Sequence, residues 1–305
     1  MKHRNFIREE TALAGVLEAI LLIALVSIIL SMIQLYYVPV MMEQKEADHM
    51  DQVSNQFSQL KSVIETQSMM GAMGTELPIT YSPMSSPVTL GSKELPYFIS
   101  ARSYGQIILI DQDDAGDHKI NIQPAPADFP SGIPLTSINY DADNYYFVDQ
   151  TYILEGGGII LKQSDGEVMR VHPGIAVENN SDLNNIKIKY FIPLFTGIPG
   201  KKTYADYKDC YVHTNYSNHY SHSGSANFIH IYTDYPDAWY QSLVNESRGI
   251  LWECDHKEYL NVDLDDTVTP NRVEITPEFG YTLDVDLTIV EIGVQVGPGY
   301  IPKEN

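Results

Sequence analysis

Histidine and tyrosine crowd one stretch of this 305-residue chain. Between Tyr204 and Tyr232 lie Tyr207, Tyr211, Tyr216 and Tyr220, together with His213, His219, His222 and His230. His219-x-x-His222 could share a transition metal with His213, because imidazole is a common ligand and an acidic surface attracts cations. The same rings could instead contact carbohydrate or a protein partner. The irregular spacing, with Ser and Asn throughout, equally suits a plain Tyr-rich loop, so no metal or cofactor is assigned. Asp111-x-Asp113-Asp114-x-Gly116-Asp117 has the outline of a calcium loop. Its fifth position offers no oxygen ligand and its twelfth no acid, which makes an acidic turn between strands the expectation.

The two cysteines, Cys210 and Cys254, lie far along the chain, in the part expected outside the cell, where an oxidising compartment would keep a bridge. A Cys210–Cys254 disulfide is therefore expected. Asn179, Asn215 and Asn245 each open an Asn-x-Ser triplet and are candidate glycosylation sites. The chain has no His-Glu-x-x-His, Gly-x-Ser-x-Gly, phosphate-cradling Gly-x-x-x-x-Gly-Lys or Cys-x-x-Cys. No enzymatic activity is expected.

The elements that position these residues begin with an apolar run. Ala19 to Met42 carries no charge, and its 24 residues would rise about 36 Å as a helix, enough for a hydrocarbon core of about 30 Å. The run exceeds the ~7–15 residues of a signal-peptide core, and its exit Gln34-Leu35-Tyr36-Tyr37-Val38-Pro39 fits no signal-peptidase pattern. An uncleaved anchor is expected, with the bilayer contacted through residues 13–42. Lys2, Arg4 and Arg8 precede the span, which places the amino end in the cytoplasm and the rest outside.

Of the 40 acidic and 19 basic residues, 8 and 5 lie in positions 1–70, leaving 32 and 14 beyond and a net charge near −18 there. Such a field excludes nucleic acid as a partner. Met50, Val53, Phe57, Leu60 and Ile64 then repeat at three and four residues, one apolar stripe of a helix, with Glu46, Asp48, Asp51 and Lys61 on the wet side. Pro39 should interrupt the rod.

From Thr89 the chain alternates as strands do: Gln106–Asp111, Tyr145–Leu154, Gly158–Gln163, Ile186–Phe191, Phe228–Thr233, Arg272–Thr276 and Tyr281–Val296. Gly156-Gly157-Gly158 reads as a hairpin turn, and a short helix is expected over Asp237–Asn245. In the last strand the apolar phase switches between Ile289 and Val290, the mark of a bulge or a bend into a second sheet. The fold class expected is α+β: a long N-terminal transmembrane and amphipathic helix followed by an antiparallel β-sandwich outside the cell. The expected segments are 1–42 (basic end and span), 43–72 (amphipathic helix), 73–88 (Pro/Ser linker) and 89–305 (β-rich domain, with a break into two subdomains near 200).

The stretch from Ala12 to Leu22, Ala-Leu-Ala-Gly-Val-Leu-Glu-Ala-Ile-Leu-Leu, resembles the amino-terminal segment of archaeal type IV pilins and pilin-like proteins. The continuation through Tyr36-Tyr37-Val38-Pro39 and Glu46 to Phe57 is similar to membrane-anchored surface proteins of methanogenic archaea. The likeness covers roughly residues 8–110 and implies an archaeal envelope protein, either a filament subunit or a non-polymerising relative. In pilins an early glutamate pairs with the amino terminus of the next subunit, which makes Glu18 the candidate for self-association or for pairing with other pilin-like subunits. Prepilin peptidases need a basic and a small residue before the apolar run, whereas Arg8-Glu9-Glu10-Thr11 stands here. An uncleaved, membrane-resident surface protein of structural or interaction type is therefore expected. A polymerising filament subunit, or an adhesin or receptor using the 204–232 segment, is the alternative.

Overall fold

The computed structural model describes residues 3–73, 83–92, 103–180 and 184–301; for 3–13, 72, 73 and 180 only the backbone is described. Residues 74–82, most of the expected linker, lie outside the described residues. Helix α1 (His3–Met32), a π-helical turn (Ile33–Tyr37) and α2 (Val38–Met73) follow one another without a break. At ~1.5 Å per residue the rod is about 105 Å long. The amide of Val38 reaches back five residues to the carbonyl of Ile33, and this widened turn is where the ladder makes room for the Pro39 ring. From Ala14 to Met32 every side chain is exposed, and this helix is long and apolar enough to cross a membrane.

The strands follow as β1 (Met84–Thr89), β2 (Tyr104–Ile110), β3 (Lys119–Gln123), β4 (Ile133–Pro134), β5 (Ser137–Asp143), β6 (Thr151–Glu155), β7 (Gly158–Gln163), β8 (Gly166–Val171), β9 (Gly174–Asn180), β10 (Asn185–Thr196), β11 (Thr203–Asp206), β12 (Asp209–Ala226) and β13 (Phe228–Tyr232). Helices α3 (Pro236–Val244) and α4 (Trp252–His256) precede β14 (Leu260–Asp265), β15 (Arg272–Pro277) and β16 (Thr282–Val296). They form three sheets in the orders β1-β12-β16-β10-β9, β11-β2-β5-β6-β7-β8 and β14-β15-β13-β3-β4. The coarse expectation, a long apolar helix before a mostly β domain, is what the chain forms. The strands are antiparallel except for β10 and β16, which run side by side in parallel over twelve residue pairs.

Two cores are stacked along the domain. The proximal core holds the whole stripe Met50, Val53, Phe57, Leu60 and Ile64 of α2, packed on β1, β2, β5 and the lower halves of β12 and β16. The amphipathic helix is thus a core element of the β-domain rather than a spacer beneath it. The distal core gathers the third sheet, α3, α4, most of β10, the upper part of β16 and single residues of β6, β7 and β8. Ile289 belongs to the distal core and Val290 to the proximal one, so the phase switch marks where β16 changes the face it buries. The partner strand β12 bulges between Tyr216 and Asn218, opposite Ile292 and Glu291. The helix ends at the same level: a Cβ at Gly71 would fall 2.2 Å from a carbon of the Tyr216 ring. Beyond that point α2 no longer covers the sheet and the opposite face must be buried instead.

The differences from expectation have local causes. Residues 209–226 form an 18-residue strand where a loop was one reading, because β12 is hydrogen-bonded to β16 along nearly its whole length and its polar side chains flank a backbone ladder. Of the expected strand 145–154 only 151–154 pairs, as part of β6, which runs on to Glu155; residues 144–149 are a loop. Strand β1 occupies positions placed at the end of the linker, and Pro87 is tolerated because β1 is an edge strand. The hairpin at 156–158 forms, with Gly156 and Gly157 at φ of 54° and 82°, and a Cβ at Gly156 would sit 2.8 Å from the Trp239 ring.

Candidate functional site

Two polar constellations stand out, neither on the Tyr/His segment. The first joins the rod to the β-domain. Glu46, fully buried on α2, accepts the backbone amides of Tyr145 (3.2 Å), Tyr146 (2.7 Å) and Phe147 (2.7 Å) in the β5–β6 loop. A carboxylate without such donors would not be tolerated there. Three and six residues further on, His49 and Gln52 reach Thr89 at the end of β1, and Gln56 holds both ends of the same residue. The Gln56 carbonyl accepts the Thr89 amide (2.9 Å), while its NH2 and that of Gln52 donate to the Thr89 hydroxyl (3.1 and 3.0 Å). His49 Nε2 lies 2.9 Å from the Thr89 carbonyl, so this nitrogen carries the hydrogen. Burial holds the His49 pKa below its ordinary value, against the carbonyl bond and the Glu46 charge. Higher up, Gln67 donates to the Thr214 carbonyl (2.9 Å). These bonds fix the rotation and height of α2 on the sheet. They attach the rod to the β-domain.

The second constellation lines a pocket of about 150 Å³ between the sheets, room for a few waters. Glu155 closes β6 and is buried; its Oε1 accepts the indole N–H of Trp239 (2.8 Å) and the hydroxyl of Thr233 (2.7 Å). Burial pushes its pKa up to about 7, although both bonds and the charge of His118 pull the other way. His118 donates Nδ1–H to the Ala115 carbonyl (2.9 Å) and pairs through Nε2 with Asp234 (3.0 Å). Burial works against the charged ring, but Asp234, the Ala115 carbonyl and the Glu155 charge together outweigh it, and the His118 pKa is raised. The pocket can therefore take up a proton near neutral pH.

The residues singled out from the sequence are dispersed. His213 sits low on β12, buried, with Nδ1 2.7 Å from Ser85 Oγ and its ring against Tyr211 and Tyr300. His219 contacts Tyr216 (2.8 Å), six residues and about 20 Å further up the strand. His222, three residues beyond, points to the other face of the sheet from His219. The three do not converge, and among the described residues no group of three or more His, Cys, Asp or Glu is placed to hold a metal. The tyrosines are likewise spread: Tyr220 packs edge-on against Phe129, and Tyr232 lies under Arg272 and Lys119.

Asp111 forms an acidic turn and not a cation loop: Oδ1 accepts the amides of Asp113 and Asp114, and Oδ2 accepts Lys202 Nζ (2.6 Å) and the Gly197 amide (3.1 Å). Although its partial burial raises the pKa, these donors hold it below the ordinary carboxylate value.

The expected disulfide is absent. Cys210 and Cys254 are both free and buried, Cys210 in the proximal core and Cys254 in the distal one, so the stacking of the cores separates them. Burial pushes the Cys210 thiol up to about 11 and raises that of Cys254, which makes both poor nucleophiles. Asn179 and Asn245 are exposed, on β9 and after α3; the Oδ1 of Asn215 is buried on β12. Glu18 stands on the uncovered apolar part of α1. Glu46 and Glu155 were missed, since their partners are contributed by backbone and side chains about 80–100 residues away.

No protein-family profile, curated protein or solved structure matches this chain.

Proposed function

We propose that this chain is a membrane-anchored surface protein of structural or interaction type, which carries an acidic, sandwich-like β-domain outside the cell. One observation carries the reading: an apolar helix with nothing packed on residues 14–32 continues into a helix that is a core element of the β-domain. An uncovered apolar surface of that size belongs in lipid or against other copies of itself. The basic residues before the span support a cytoplasmic amino end, and the charge near −18 beyond position 70 supports a solvated exterior domain. The pilin-like sequence of residues 12–22 favours an archaeal envelope. The test is an impermeant amine reagent added to intact cells: Lys189 and Lys208, both exposed, are expected to be modified without lysis. Modification only after lysis would reverse the topology.

A second reading is favoured by the same bare α1. In a filament subunit these apolar helices would pack together as the core, with Glu18 meeting the amino terminus of a neighbour. The leader residues Arg8-Glu9-Glu10-Thr11 argue for the anchored form instead.

A further inference from the structure

A groove opens along one flank of α2. The strand order β11-β2-β5-β6-β7-β8 carries the last two strands past the edge of the helix, and a cleft of about 390 Å³ remains between Asp51 on α2 and Arg170 on β8. That volume lies within the ~300–1,000 Å³ of small-molecule sites. Its floor is apolar, made by Met50, Leu161 and the partly exposed Phe147, whose backbone amide is fixed by Glu46.

Five polar groups border the same space, and the fold uses none of them. Gln150 and Tyr152 are only 8% and 3% exposed, yet the Gln150 amide and the Tyr152 hydroxyl have no hydrogen-bond partner among the described residues, and both open into the groove. A polar group taken that far out of bulk water is costly unless something satisfies it. At the rim stand Gln163, Asp51 and Arg170, whose side chains likewise make no hydrogen bond or ion pair among the described residues.

We propose that this groove binds a neutral saccharide. The Tyr152 hydroxyl and the two carboxamides each donate and accept, Asp51 accepts only and Arg170 donates only; sugar hydroxyls, which also do both, match such a mixed set. The charges of Asp51 and Arg170 cancel, so an ionic ligand finds no net counter-charge. A wholly apolar ligand would leave all five polar groups unpaired. A pyranose satisfies both parts of the groove: its C–H face lies on the Phe147 ring, and the hydroxyls around its edge replace water at the rim. Because the groove is formed by α2 and the β-domain, the inference goes beyond the surface-protein reading and holds whether α1 lies in lipid or in a filament.

The full chain in phosphatidylcholine nanodiscs, free of sugar-headed detergent, tests this by saturation-transfer NMR. The probes are glucose, galactose, mannose and N-acetylglucosamine, with glucuronate and glucosamine as charged counterparts. Transfer is expected to at least one neutral sugar, strongest at its ring C–H protons. Arg170→Ala should weaken that binding about tenfold, the loss of a hydrogen bond from a charged donor, and Tyr152→Phe severalfold. Arg170 is exposed and holds no protein partner, so its variant keeps the fold; Lys189→Ala, on the exposed side of β10, should bind as the unsubstituted chain does. No transfer to any neutral sugar, transfer confined to the charged ones, or affinity unchanged in both Arg170→Ala and Tyr152→Phe would overturn the proposal. None of these results bears on the membrane anchor.

Discussion

Replacing Phe57 by alanine is expected to destabilise the β-domain by about 3–5 kcal/mol, a large part of the ~5–15 kcal/mol that holds a typical domain folded. Phe57 is fully buried at the centre of the α2 stripe, its ring 6.3 Å from that of Tyr140 and 6.0 Å from that of Tyr152. Truncation removes the contacts of a whole ring, and the sheet on the far side cannot collapse into the gap without breaking its own ladder. Asp51→Ala, on the exposed side of the same helix, should change stability by less than ~0.5 kcal/mol. Denaturant unfolding of the full chain in detergent measures both. A loss below about 1 kcal/mol for Phe57→Ala would mean that α2 is not docked as described.

Glu155→Gln is expected to stabilise the protein at pH 8 by about 2–3 kcal/mol and to leave it unchanged at pH 4. The Glu155 pKa stands at about 7 in the folded protein against an ordinary value of 4.5. Because the folded value is the higher one, the stability linked to the bound proton is fully present below pH 4.5 and is lost as the pH rises through 7. At ~1.36 kcal/mol per unit the loss is about 3 kcal/mol. Glutamine keeps an acceptor for Trp239 and Thr233 but has no charge to desolvate. Subtracting the two stability curves cancels His118 and every other titrating group to first approximation. Parallel curves from pH 4 to 8 would show that Glu155 does not titrate in this range.

Much of the fold was legible where a period is enforced by one buried face. The stripe from Met50 to Ile64 has a single phase because one face of α2 is buried, in the core shared by the first two sheets. The slip at Ile289 and Val290 was visible because a strand that changes cores must bury two adjacent residues. Strand β12 was hard to read because its upper part is held by backbone pairing with β16, and Ser, Asn and His there leave no apolar period. The pairing of cysteines depends on which core each enters, and nothing local to Cys210 or Cys254 reports that. Glu46 looks like any wet helical glutamate until the amides of a loop a hundred residues later are set beside it. Glu155 ends an apolar run beside a glycine turn, a place where a strand usually returns to solvent; here α3 brings Trp239 over it.

The most direct measurement is the fractionation of sheared cells, with the membrane pellet then extracted at alkaline pH and floated on a density gradient. The account predicts that the full-length chain stays with the membrane, resists alkaline extraction and floats with lipid. A chain truncated before Val38 should lose that association. Recovery in the soluble fraction, or in sheared filaments with a mature amino end near Ala12 to Ala14, would contradict it.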